Sequence, residues 1–341
     1  MWGYLGKRFL ISVGTVLGII VVVFFIVRVL PGDAAVLRAG PYASEEKIEQ
    51  IRERYGLSDP LPEQFVRYLA NTATGDLGVS IRTEGSVTAE ILQRLPASLE
   101  LAFYSVLAAS LIGIPLGIVA AANEGKMIDK AARVFAVLGS SMALFWLGLL
   151  LIYFFFFRLR WFPGPIDRIG VTTEAPTAIT RFFTIDAALT GRFDVMGEAF
   201  RYLALPVATL AFVLAAPILK MVRAAMIDTL RSDHVRTAKA MGIPWRQVLL
   251  RDGFRNALLP VTTAIGIVFG YMLGGNIIVE FLFAWPGVGR YAYTAIQNND
   301  LEALQGFVVV VGVLYVGLNV LIDLLYAWID PRIRLGAKLA A

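Results

Sequence analysis

The chain has 341 residues, of which 57% are apolar and 17% are charged, and its formal net charge is +5. A water-soluble domain of this length does not need so large an apolar share, so the composition favours a membrane protein. One histidine and no cysteine exclude zinc fingers, thiol catalysis, disulfide frameworks and metal sites built on several imidazoles. The basic residues lie mostly beside apolar runs, where membrane topology accounts for them, so nucleic-acid binding is not expected.

Six runs are long and apolar enough to cross a membrane. A helix needs about 20 residues to cross a hydrocarbon layer about 30 Å thick, and lipid offers backbone polar groups no other partner. The predicted spans are Phe9–Val27, Leu101–Ala122, Val134–Phe157, Tyr202–Leu219, Ala257–Val279 and Ala303–Ile322. The first run lacks a small-residue cleavage site, so it is expected to remain as an anchor. The predicted fold is an all-α polytopic membrane protein with six transmembrane helices.

Basic residues set the predicted orientation. The connections after the second and fourth spans and the C-terminal tail are rich in Lys and Arg, with eight basic residues between Lys220 and Arg255. The positive-inside rule therefore predicts that both termini are cytoplasmic. The predicted organisation is a cytoplasmic N-terminus with the first helix over 1–30, a periplasmic region over 31–98, a five-helix transmembrane core over 99–329 with a cytoplasmic segment over 231–256, and a cytoplasmic tail over 330–341.

A short helix is predicted in the first long connection. Ser44 followed by Glu45 and Glu46 is typical of an N-cap with an acidic first turn. The helix is expected to run to about Tyr55, because Gly56 follows as a stop signal.

The segment between the fourth and fifth spans, residues 231–260, reads RSDHVRTAKAMGIPWRQVLLRDGFRNALLP. Ser232 or Asp233 is predicted to cap a first helix that runs to Met241. Gly242 is expected to take the left-handed conformation that ends a helix, and Pro244 to open the next helix at its first turn.

The composition of this segment allows two interpretations. Arg236 and Lys239 lie three apart on one helix face, while Ala238, Ala240 and Gly242 leave little side chain, which suits insertion into the groove of a partner protein. Charge alone favours the alternative of a solvated basic loop needed only for topology.

The spacing within the segment resembles the cytoplasmic signature of ABC importer permeases. In that signature an EAA-type element, a glycine and a downstream Leu-Pro pair mark the coupling helix. Here residues 236–238 stand at the triplet, Gly242 is the glycine, and Leu259 and Pro260 form the pair. The missing Glu and the longer spacing resemble the peptide/nickel branch of the family, whose element typically reads VRTA, then an AKG-like triplet, then RNALLP.

The resemblance covers nearly the whole chain. The matching motifs, in order, are RVLPGD at 28–33, RYGLSDPLPEQ at 54–64, GDLGVS at 75–80, RLPASLEL at 94–101, IGIPLGIVAA at 112–121, FWLGLLL at 145–151, VEFLFAWPGVGR at 279–290 and NVLIDLLYAWIDPRIR at 319–334. The chain departs from the family pattern at four positions, where Pro, His, Tyr and His are usual: Ala143, Tyr202, His234 and Asp252. These departures leave the substrate class and the details of gating open.

The resemblance implies a type I importer permease fold in the bacterial inner membrane, with a periplasmic region between helices 1 and 2. It also implies partners: a second homologous permease subunit, two cytoplasmic ATPase domains and a periplasmic substrate-binding protein. The chain has no GxxxxGK[ST] loop, so ATP and Mg are expected on the partner subunits, with no catalytic, cofactor or metal residue here. The residues implied in ATPase coupling are Arg236, Thr237, Ala238, Lys239, Ala240, Met241, Gly242, Ile243, Pro244, Trp245 and Arg246.

Four polar residues within or at the edges of predicted spans are candidates for the transport pathway: Asn276, Glu280, Asn319 and Asp323. A charge at mid-bilayer costs about 2.5–3.5 kcal/mol, so such residues need a function or a partner. Glu280 and Asp323 lie at predicted span ends, where headgroup water or a neighbouring arginine also accounts for them.

Two other classes of function stay open. A self-contained secondary transporter or channel often carries charged residues deep in its spans or an internal inverted repeat. An intramembrane enzyme needs a nucleophile with a base, paired carboxylates or a metal cluster. The cargo also stays open among a dipeptide, an oligopeptide, nickel and a sugar derivative.

Overall fold

The computed structural model describes residues 2–29, 35–36, 43–54 and 56–329. These residues form helices joined by turns, and they form no β-strand apart from one isolated bridge between Val79 and Ser86. The α-helices are α1 Trp2–Val29, α2 Glu45–Arg54, α3 Leu61–Ala73, α4 Val87–Ala122, α5 Met127–Ser141, α6 Leu144–Leu151, α7 Phe183–Leu189, α8 Phe193–Leu230, α9 Asp233–Ala240, α10 Trp245–Gln247, α11 Arg255–Gly275, α12 Ile277–Leu282, α13 Val288–Gln297 and α14 Leu301–Ile329. Two π-helical turns, Ile152–Arg158 and Val248–Phe254, continue α6 and α10.

Within the described residues, five helices are long and apolar enough to cross a membrane. They are Leu10–Val27, Val87–Ala122, Phe193–Leu230, Trp245–Met272 and Leu301–Ile322. A pair of shorter helices, Met127–Ser141 and Leu144–Arg158, makes a sixth span if it is counted as one. The predicted all-α polytopic fold is therefore confirmed, and each predicted span corresponds to one of these helices or to the pair.

The third predicted span is not a single straight helix. The sequence predicts a continuous helix over 134–157, but the chain bends by 102° between α5 and α6. Met142 and Ala143 at the bend have extended backbone conformations. A Gly-Ser-Ser sequence precedes the bend, and the Ser140 hydroxyl donates to the carbonyl of Ala136 at 2.8 Å. Such residues are weak helix formers, and serine back-bonding of this kind bends helices.

Two helices extend well beyond their predicted spans. α4 begins at Val87 although its apolar run begins at Leu101, and α8 covers Phe193–Leu230 although its apolar run ends at Leu219. Apolar runs identify only the part of a helix that lipid surrounds, because a polar extension outside lipid satisfies its own backbone hydrogen bonds equally well. The basic residues from Lys220 onward therefore begin on a helix and not in a loop.

The fifth predicted span ends earlier than expected. α11 ends at Gly275, Asn276 interrupts the chain, and α12 begins at Ile277, whereas one helix was predicted over 257–279. The physical reason is the Gly-Gly pair at the end of α11, since each glycine costs a helix about 1 kcal/mol relative to alanine.

The chain divides into two compact units, which are Met1–Leu95 with Gly287–Gly317 and Pro96–Pro286 with Leu318–Ala341. In the first unit, Phe24 of α1 is buried and packs its ring against Phe65 and Tyr68 of α3, with ring centres 5.3 Å and 5.6 Å away. The predicted helix after Ser44 is present as α2, and the Ser44 hydroxyl accepts the Lys47 N–H at 3.3 Å. Its expected end at Tyr55 lies outside the described residues.

In the second unit, α8 is the central helix, and glycines of α4 and α5 allow close approach to it. A Cβ added at Gly117 of α4 would lie 2.7 Å from Cβ of Val222, which is fully buried. A Cβ added at Gly139 of α5 would lie 3.0 Å from the carbonyl oxygen of Phe212. The absence of side chains at these positions lets the backbones meet, as in many membrane helix pairs.

We expect Gly117→Leu to destabilise this packing by about 1–3 kcal/mol, the usual cost of forcing extra volume into a packed core. Thermal unfolding of the purified protein measures the change. Gly197→Leu is the matched control, because Gly197 is also helical but has nothing within 4 Å of an added Cβ. Equal melting temperatures for the two variants would contradict the close approach at Gly117.

Candidate functional site

The predicted coupling segment contains a short helix that ends as expected. α9 runs from Asp233 to Ala240, and Gly242 takes a left-handed conformation with φ of +76°. The N–H groups of Gly242 and Ile243 donate to the carbonyls of Lys239 and Ala238 at 3.0 Å and 3.2 Å. These are the two hydrogen bonds of a Schellman motif, so the predicted glycine terminator is confirmed.

Two details of the predicted segment differ. Ser232 precedes α9 but does not cap it, because its hydroxyl donates to the Thr229 carbonyl and lies 2.9 Å from Nδ1 of His234. Pro244 lies just before α10, and its carbonyl accepts the N–H groups of Gln247 and Val248 at 2.9 Å and 3.1 Å. Ser232 thus attaches the end of α8 to the start of α9, which leaves no free loop between them.

One face of the segment is packed and the other is exposed. Val235, Ala238 and Val248 form a small buried cluster, with Leu230 and Ile243 packed against it. The remaining residues predicted to couple are exposed, including the large apolar side chains of Met241 and Trp245 at 68% and 44%. We call these exposed residues the coupling surface: Arg236, Thr237, Lys239, Ala240, Met241, Gly242, Pro244, Trp245 and Arg246.

The coupling surface is positively charged and partly pre-ordered. Lys239 Nζ lies 4.4 Å from the centre of the Trp245 ring, which joins α9 to α10 by a cation–π contact. Arg236 lies 3.7 Å from the carboxylate of Asp233, but both side chains are largely exposed, so the pair contributes little. A partner with a groove and acidic residues would fit this surface.

The four candidate pathway residues have different surroundings. Asn276, at the break between α11 and α12, is 4% exposed, and neither polar atom of its amide has a hydrogen-bond partner among the described residues. Glu280 is 1% exposed and accepts a hydrogen bond from Ser98 at 2.6 Å. Asn319 is exposed, and the side chain of Asp323 lies outside those described. Ser98 of α4 is thus one partner of Glu280.

Two family models match the chain and together cover most of it. The model described as "Binding-protein-dependent transport system inner membrane component" matches residues 113–335, and its N-terminal companion matches residues 1–102. The chain belongs to this family. It is therefore a multi-pass inner-membrane permease subunit of an ABC importer.

Relatives match this permease over almost its full length. A probable D,D-dipeptide transport system permease protein of Escherichia coli is 43% identical over 98% of both chains. A dipeptide transport system permease protein of Alkalihalophilus pseudofirmus is 36% identical over 98% of this chain and all of its own. A glutathione transport system permease protein of Escherichia coli is 35% identical over 98% of this chain and 99% of its own.

A buried ion pair that the sequence did not reveal attaches to α4 the long connection between Arg158 and Phe193, which includes α7. Glu100 of α4 accepts from Arg168 and from the N–H and hydroxyl of Thr184, the latter two at 2.9 Å and 2.6 Å. The Arg168 guanidinium lies 3.6 Å from the centre of the Phe183 ring. Burial lowers the pKa of Arg168 from its ordinary value, and the charge of Glu100 opposes that effect.

A second buried carboxylate orders the same connection. Asp186 accepts the N–H groups of Ile179, Thr180 and Arg181 and the hydroxyl of Thr180. Burial would raise the pKa of Asp186, but these hydrogen bonds outweigh it and hold the pKa below its ordinary value. The connection is thus a folded structure with its own charged interior.

We expect Arg168→Met to lower the melting temperature of the purified complex, because removing one partner of a buried ion pair costs about 3–5 kcal/mol. Adding Glu100→Gln should restore part of the loss, since the double variant leaves no unpaired charge. Arg201→Met, at an exposed arginine of α8, serves as the control. A neutral effect of Arg168→Met would show that the pair does not hold the connection.

Proposed function

We propose that this permease forms half of a translocation pathway for dipeptides or closely related short peptides. A second, homologous permease subunit would form the other half, because one six-span chain lines only part of a route wide enough for a peptide. The names of the relatives support the peptide cargo. The observation that carries the ATP-driven mechanism is the exposed coupling surface on a helix rigidly attached to α8.

In this mechanism, residues 236–246 dock on one of two ATPase domains. Those partner domains bind ATP and Mg, since this chain has no phosphate-binding loop. The buried cluster of Val235, Ala238 and Val248 holds α9 against the core, so that the docked segment moves as a rigid body. When the ATPase domains close, α8 is carried along, and the balance between inward-facing and outward-facing states changes.

Asn276 is the candidate that best fits a pathway role. Its amide carries a donor and an acceptor, as a peptide bond does, and leaving both unpaired in a buried site costs about 1–3 kcal/mol per group. Its position at the break between α11 and α12 suits a group that finds partners in another conformational state. Glu280 fits a structural role better because it binds Ser98. Asn319 and Asp323 remain candidates from their positions in the sequence.

The proposed orientation places both termini in the cytoplasm and residues 31–98 in the periplasm, where a substrate-binding protein delivers the cargo. The basic residues beside the spans support this orientation. The coupling surface is then cytoplasmic, and the connection with Arg168 and Asp186 is periplasmic.

The chain contains no cysteine, so single cysteines can report this orientation directly. We expect Thr172→Cys, at an exposed position, to react with an impermeant maleimide in spheroplasts. Met241→Cys, which is also at an exposed position, should react only after the membrane is opened. The opposite pattern would invert the topology and contradict cytoplasmic coupling.

For coupling itself, we expect Gly242→Trp to abolish ATP-driven peptide uptake by the complete importer in vesicles. Gly191→Trp is the matched control, because both glycines are exposed, have φ values of +76° and +71°, and have nothing within 4 Å of an added Cβ. Both variants carry a similar strain of about 1–2 kcal/mol, but only the first lies on the coupling surface. Normal uptake by Gly242→Trp would mean that the segment serves topology alone.

A further inference from the structure

A buried carboxylate lies at the start of α5. Asp129 is 1% exposed, and Arg223 of α8 donates to it from Nε and Nη2, at 2.6 Å to Oδ1 and 3.0 Å to Oδ2. The backbone N–H of Gly125 donates to Oδ2 at 3.0 Å, and Arg133 lies 3.6 Å from the same oxygen. A two-point contact of this kind fixes both the distance and the orientation of the groups that it joins.

Two weaker contacts join the same elements on either side of this pair. Lys220 Nζ donates to the Ser140 hydroxyl at 2.8 Å, and Arg231 Nη2 lies 2.8 Å from Oε1 of Glu124. The second of these pairs is largely exposed, so it contributes little by itself. Together the three contacts attach about 16 Å of the chain, from Lys220 of α8 to Arg231 just past its end, to the turn before α5 and to α5 itself.

The attached part of α8 leads directly into the coupling surface. α8 ends at Leu230 and α9 begins at Asp233, and the Ser232 hydroxyl bonds the Thr229 carbonyl across the joint. A displacement of α9 therefore reaches the end of α8 first. The Asp129–Arg223 pair is the buried polar contact through which that end of α8 holds α5.

We propose that the Asp129–Arg223 ion pair is a positioning contact that transmits movement of the coupling surface into α5 and thereby keeps ATP hydrolysis tied to transport. This inference rests on the proposed function. A buried ion pair adds little net stability compared with apolar packing, whereas it fixes the register of the elements that it joins. α5 belongs to the bent pair of helices, so its attachment decides whether that pair follows α8.

The test uses the complete importer in vesicles, with peptide uptake and ATP hydrolysis measured in the same preparation. We expect Asp129→Asn to lower the number of peptides transported per ATP about tenfold, within the usual range for coupling between sites. Glu124→Gln removes the exposed pair in the turn before α5 and should leave the ratio unchanged. A wild-type ratio in Asp129→Asn, or an equal loss in Glu124→Gln, would overturn the proposal.

A purely structural role is distinguished by a double variant. Asp129→Asn with Arg223→Gln leaves no unpaired charge, so assembly should recover while the transport ratio stays low. Recovery of the ratio together with assembly would show that the pair only serves stability.

If the double variant does not assemble, Arg223→Lys tests the positioning role instead, because lysine keeps the charge but loses the planar fork of arginine. That variant should show a lowered ratio, and a wild-type ratio would overturn the proposal.

The same preparation separates the two levels of inference. If wild-type vesicles show no ATP-driven uptake, the proposed function fails and this inference fails with it. If the wild type couples ATP hydrolysis to uptake and the double variant does so at the same ratio, only the role of Asp129 and Arg223 is wrong.

Discussion

The close packing of α8 against small residues of α4 and α5 is the contact on which the rest of the second unit depends. Gly117 and Gly139 let the neighbouring backbones reach α8, and dispersion contacts rather than hydrophobic transfer hold such helices together in lipid. Because α8 is a single helix from Phe193 to Leu230, it also extends past its apolar run to the coupling segment. One continuous element thus joins the packed core to the surface proposed to bind the ATPase.

Buried charge is concentrated at places where connections meet the core helices. Glu100 with Arg168, and Asp129 with Arg223, each join elements far apart in the sequence. The cost of burying these ions is offset by several hydrogen bonds to each carboxylate. The first pair attaches the connection that carries Arg168 to α4, and the two-point contact of the second fixes both the distance and the orientation of α5 and α8 at that place.

Much of the fold could be predicted because its signals are local. Apolar runs predicted the spans. Gly242 predicted the end of α9, because few residues other than glycine readily adopt its left-handed backbone conformation. The bend at Met142 was missed because no proline marks it, and the long polar ends of α4 and α8 were missed because lipid does not surround them. The pair formed by Asp129 and Arg223 could not be predicted, because the two residues are 94 positions apart and only tertiary packing brings them together.

The central claim is that ATP hydrolysis by partner domains moves cargo through a pathway that this permease helps to form. Uptake of a labelled dipeptide into proteoliposomes tests it most directly, with the binding protein outside the vesicles and ATP inside. The account predicts uptake that requires both ATP and the binding protein and that ion gradients do not replace. Uptake driven by an ion gradient without ATP would contradict it and would favour a self-contained secondary transporter.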